Sequence, residues 1–98
     1  MSSTRRGRDM DAALRKKGFR CDRSGKHIWY YFRDSNGEDS DVKVMMSHGM
    51  AGSSLSTDLL SRMARQLHLS TRQFLALIDC PLDEAGYRAI LEELRIIA

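Results

Sequence analysis

Cysteine is scarce in this chain, with only Cys21 and Cys80, far apart in the sequence. Neither has a histidine or cysteine at paired ligand spacing, which argues against a structural zinc site. Two such thiols in a chain with no export signal are expected to be reduced and to behave as small apolar side chains. Long apolar runs are missing too, so no segment can span a bilayer. The opening Met1-Ser2-Ser3-Thr4-Arg5-Arg6 has no apolar stretch behind it and does not read as a secretory signal. These absences predict a cytoplasmic location and no membrane partner. There is no internal repeat, no Gly-rich phosphate loop and no catalytic serine motif. Neither a cofactor nor a metal is expected.

What is present fits one small domain. The 98 residues are 42% hydrophobic and 30% charged, a soluble globular composition with room for one modest core. The net charge of +3 is unevenly spread. Residues 1–26 hold nine basic and three acidic side chains, and the remainder carries a net excess of three acids. A basic N-terminal quarter on a near-neutral body points to an anionic partner, nucleic acid first. Residues 1–8 read as a disordered basic tail. Arg15, Lys16, Arg20, Arg23 and Lys26 fall inside the predicted fold.

The pattern along the chain predicts an α+β domain, α-β-β-β-α-α-α, with a three-stranded antiparallel sheet packed on helices. A helix over 9–17 starts at an Asp9 N-cap, presents Met10, Ala13 and Leu14, and ends at Gly18. Strands follow over 19–23, 27–33 and 41–47. Asp34-Ser35-Asn36-Gly37 marks a hairpin, because Asn-Gly supplies positive φ angles. A Gly/Ser-rich loop over 48–54 leads to a helix over 56–67. A capping box, Ser70-Thr71-Arg72-Gln73, opens a helix reaching Asp79. The last helix, over 83–97, belongs to an extension, 79–98, of the main unit, 9–78.

Alternation on the second strand separates two faces. Ile28, Tyr30 and Phe32 match a covered face; His27, Trp29 and Tyr31 are left on an open one. A histidine beside two aromatics and near Arg20 and Lys26 suits RNA: rings stack on bases, cations hold phosphates, and imidazole moves protons near neutrality.

The runs Leu14-Arg15-Lys16-Lys17-Gly18-Phe19, Ser24-Gly25-Lys26-His27-Ile28-Trp29-Tyr30, Val44-Met45-Met46-Ser47-His48-Gly49 and Leu67-His68-Leu69-Ser70-Thr71-Arg72-Gln73-Phe74-Leu75 together resemble the HicA family of prokaryotic toxins. The resemblance implies a fold like a double-stranded-RNA-binding domain, messenger-RNA interferase activity and neutralisation by a HicB antitoxin. It places His27 at the family's active-site histidine and Gly25 at its motif glycine. Lys26 stands where the family usually has Ser or Thr. His48 matches a position often held by histidine, without the preceding proline. The implied chemistry is metal-independent RNA cleavage, with His27 as general base and His48 as acid. Arg15, Lys16, Arg20, Arg23, Gly25, Lys26, Trp29 and Tyr31 would hold the RNA.

Two other readings stand beside it. Residues Leu60 to Phe74 also resemble a DNA-binding helix-turn-helix, with His68 at the turn position usually held by glycine. A non-catalytic module using the open sheet face or the acidic last helix would instead bind RNA or protein.

Overall fold

The computed structural model describes residues 4–79 and 81–97. Its elements are β1 (Arg5–Arg6), α1 (Gly7–Lys16), β2 (Phe19–Asp22), β3 (His27–Arg33), β4 (Asp39–Ser47), a 3-10 helix (His48–Gly52), β5 (Ser54–Leu55), α2 (Thr57–Gln66), α3 (Thr71–Asp79) and α4 (Glu84–Glu93). The α+β class and the antiparallel meander β2-β3-β4 are as expected. No helix among the described residues is long and apolar enough to cross a membrane.

The face assignment follows the alternation. Ile28, Tyr30 and Phe32 of β3 and Val42, Val44 and Met46 of β4 are buried against Met10, Leu14, Leu60, Met63, Phe74 and Leu77 from the helices. Each side chain of this size, once buried, contributes about 1.5–3 kcal/mol. Tyr87 of α4 joins the same face. Its ring stacks on Phe19 at 5.8 Å and meets Phe32 edge-on at 4.9 Å. Its hydroxyl donates to the Leu67 carbonyl at 2.8 Å, and burial raises its pKa above the ordinary tyrosine value. The C-terminal segment therefore closes the core, and it leaves the other sheet face to solvent.

The N-terminus differs from its expectation. Residues 4–8 are not a loose tail: Arg5 and Arg6 pair with Leu55 and Ser54 in a second, two-stranded sheet. Arg5 also donates twice to the Asp79 carboxylate, at 2.8 and 2.6 Å, and this holds the Asp79 pKa below the ordinary range. Residues 1–3 lie outside the described residues. With β1 leading directly into α1, the helix starts at Gly7, and its N-cap is Arg6 rather than Asp9. The segment 48–54 is likewise not a free loop, since it forms the 3-10 helix and β5.

Side chains close several of the turns locally. The Ser70 capping box closes reciprocally: Gln73 N–H donates to Ser70 Oγ, and Ser70 N–H donates to Gln73 Oε1. At the β3–β4 hairpin only Gly37 is left-handed, with φ 81°. Asn36 keeps a negative φ because its N–H is held by Asp34 Oδ1 at 2.9 Å. Helix α4 stops at Glu93 rather than Ile97, since Arg95 turns left-handed and Ile96 N–H returns to the Leu91 carbonyl.

Helix α2 ends in the same way. His68 adopts φ 62°, His68 N–H donates to the Arg65 carbonyl, and Leu69 N–H donates to the Ala64 carbonyl. This is a Schellman ending with histidine where glycine fits best. A Cβ in this region costs roughly 1–2 kcal/mol, of which glycine's extra unfolded-state freedom returns about half. His68→Gly should therefore raise stability by about 0.5–1 kcal/mol, seen as a higher urea midpoint at unchanged slope.

Candidate nucleic-acid interface

The open face is built by β-strand register. His27 pairs with Ser47, Trp29 with Asp22 and Met45, and Tyr31 with Arg20 and Lys43. Directly opposed residues point to the same side. The open face therefore carries His27, Trp29 and Tyr31 down its centre, flanked by Arg20 and Asp22 on β2 and Lys43, Met45 and Ser47 on β4. Among the described residues no helix lies across it: α4 packs on the other side, and the end of α2 reaches the β4 edge at Gln66.

The rings are organised before any ligand arrives. Trp29 and Tyr31 stack with centroids 6.2 Å apart. The Arg20 guanidinium lies over Tyr31 at 4.6 Å, and the Lys43 ammonium over Trp29 at 5.3 Å. Arg20 is fixed there by Asp39, which accepts from its Nε at 3.0 Å and its Nη2 at 2.7 Å. That hydrogen bonding raises the Arg20 pKa and lowers that of Asp39. The Asp22 carboxyl is also lowered, chiefly by the hydroxyl of Ser24, which with the Ser24 N–H fixes the β2–β3 turn.

The two proposed catalytic histidines come to one end of this sheet. His27 is exposed at the first position of β3. His48 follows β4, and its Nε2 lies 3.0 Å from the carbonyl of Gly25 in the turn before β3. A carbonyl only accepts, so Nε2 carries the proton and Nδ1 is the nitrogen free for chemistry. Lys26 is exposed in the same turn, with no partner among the described residues.

The basic residues divide differently from the sequence expectation. Arg23 and Arg15 are engaged on one carboxylate, Asp11, at 2.5 and 3.3 Å. Asp11 also accepts from the buried Tyr30 hydroxyl at 2.5 Å. Burial, then this bond, raises the Tyr30 pKa. Lys16 lies in a groove between α1 and α3, with Arg5, Ile78 and Asp79, away from the sheet. Of the residues expected to hold RNA, Arg20, Trp29 and Tyr31 thus share the open face with His27, and Gly25 and Lys26 lie in the turn at its His27 end, whereas Arg15, Lys16 and Arg23 are engaged elsewhere. Lys43 was missed, though the alternation that buries Val42 and Val44 puts it beside Trp29.

Among the described residues, no three His, Cys, Asp or Glu side chains converge as metal ligands would. Cys80, one of the two thiols considered above, lies outside the described residues. Comparison with protein-family models, curated proteins and solved structures found no match to this chain.

Proposed function

We propose that the protein binds RNA across its open sheet face and cleaves it at the end that carries His27 and His48. It would act as a HicA-like messenger-RNA interferase under the control of a HicB-like antitoxin. The observation that carries this reading is the His48–Gly25 contact. It joins two histidine-bearing segments, 23 residues apart at that bond, at the edge of an aromatic and cationic surface. His27 removes the proton of a ribose 2′-hydroxyl. The 2′-oxygen attacks the adjacent phosphorus, the bond to the 5′-oxygen breaks, and His48, in its imidazolium form with Nε2–H kept on the Gly25 carbonyl, gives its Nδ1 proton to the leaving oxygen. The products are a 2′,3′-cyclic phosphate and a 5′-hydroxyl end. Lys26 stabilises the charge that develops on the phosphoryl oxygens.

The stacking surface supplies affinity. A base on an aromatic ring is worth about 1–3 kcal/mol. Trp29→Ala should therefore weaken single-stranded RNA binding by about tenfold in a gel shift, with no change in helix content by circular dichroism. Cleavage of the same RNA should persist in chelator. Undiminished binding by Trp29→Ala would remove the open face from the interface.

A second reading is favoured by the His68 turn. It joins α2 to α3 tightly, with Ser61 and Thr71 hydroxyls bonded at 2.9 Å. Arg62, Arg65 and Arg72 are exposed there without partners among the described residues. If this pair binds duplex DNA, a gel shift will prefer DNA to RNA, and Arg72→Ala will weaken it while Trp29→Ala will not.

A further inference from the structure

β-Strand pairing between β3 and β4 is interrupted between Tyr31 and Arg33. Tyr31 pairs with Lys43 and Arg33 with Asp39, so Phe32 alone faces three residues, 40–42. Ser40 holds this bulge: its hydroxyl donates to the Phe32 carbonyl at 2.7 Å and accepts from Val42 N–H at 3.1 Å. Bulges re-aim side chains, and here the residue between these bonds is Asp41. Asp41 lines a cleft of about 320 Å³ on the open face, together with Trp29, Lys43, Met45 and Gln66 from the end of α2. Its carboxylate and the Gln66 amide have no partner among the described residues.

We infer that this cleft is a nucleobase pocket selective for guanine, which sets where the RNA lies relative to His27; this rests on the RNA reading above. A flat base can stack on the Trp29 ring, with the Met45 side chain beside it at the cleft wall. Guanine offers two adjacent donors, N1–H and the N2 amino group, which match the two oxygens of Asp41. Gln66 donates to guanine O6. Adenine and cytosine each place a ring-nitrogen acceptor against the carboxylate, and uracil has one donor between two carbonyls. The ammonium of Lys43 occupies the Trp29 ring in the free protein. An entering base displaces it, and it moves to the nucleotide's phosphate. Ser40 is a positioning residue, acting through the bulge on Asp41.

Trp29 is the chain's single tryptophan, so its fluorescence reports the pocket directly. The full chain, carrying His27→Ala to block cleavage, is titrated with hexauridylate and with hexamers containing one guanine, adenine or cytosine in the same background. The guanine hexamer should quench Trp29 and bind about tenfold more tightly than the others, the range of one good two-bond base contact. Asp41→Asn should erase that preference, so that the guanine hexamer binds the variant no more tightly than hexauridylate does. Ser40→Ala should reduce the preference part-way. Equal affinity for all four hexamers, or an unchanged preference in Asp41→Asn, overturns the guanine pocket and leaves open-face RNA binding intact. Absence of quenching and of gel-shift binding with every hexamer overturns both.

Discussion

Replacing His27 by alanine should slow RNA scission by about 10²–10⁴-fold, the usual contribution of one positioned acid–base group. Binding should hardly change, because His27 sits at the end of the stacking surface and Trp29, Tyr31 and Lys43 remain. The measurement is single-turnover cleavage of an end-labelled RNA beside a gel shift of the same strand. His48→Ala should act on a different limb of the pH profile. An acid must be protonated to work, so its loss flattens the fall in rate at high pH. Loss of the base removes the rise at low pH. Full cleavage by purified His27→Ala would end the assignment. Induced expression in cells gives the same comparison as growth inhibition by the wild type that the variant relieves.

The second large effect is on stability. Asp11→Ala should cost about 3 kcal/mol, since it leaves the buried Tyr30 hydroxyl without an acceptor and removes the counter-charge of Arg23. At this chain length each kcal/mol is worth roughly 4–8 °C, so the melting temperature should fall by about 15 °C. Tyr30→Phe in the same background should return part of the loss, because it removes the stranded donor. A double-mutant cycle reads this as a coupling between the two positions. Simple additivity of the two substitutions would show that the Tyr30–Asp11 bond contributes nothing of its own. Arg23 and Arg15 would also be released by Asp11→Ala, so any RNA binding that rises in this variant measures how far they are held back in the native protein.

Local chemistry made much of this architecture readable in advance. Alternation at Ile28, Tyr30 and Phe32 gave the buried face, and Ser70 with Gln73 gave the start of α3, because each pattern closes within a few residues. What escaped was set by distance along the chain. The Arg5–Leu55 pairing joins segments too short to carry a strand signal. The capture of Arg15 and Arg23 by Asp11 depends on how α1 lies against β2, which no local pattern encodes. Gly25, Lys26 and His27 were legible as a unit; their meeting with His48 follows only from the register of β3 on β4. His68 stands at a turn position usually held by glycine, and it takes the left-handed conformation because Leu67 and Leu69 on either side are both buried.

Lys17 gives the C-terminal segment a further meaning. This lysine is 5% exposed, and its ammonium donates to the carbonyls of Leu77, at 2.9 Å, and Leu82. One acceptor lies in the last turns of α3 and the other on the approach to α4. The end of the first helix is thereby fastened to both sides of the junction that carries the polypeptide beyond residue 79. Without the segment beyond residue 79, the buried Lys17 ammonium loses an acceptor and Phe19 and Phe32 lose the Tyr87 ring that covers them. Truncation after residue 79 should therefore lower the stability of the whole domain, read as a lower urea midpoint.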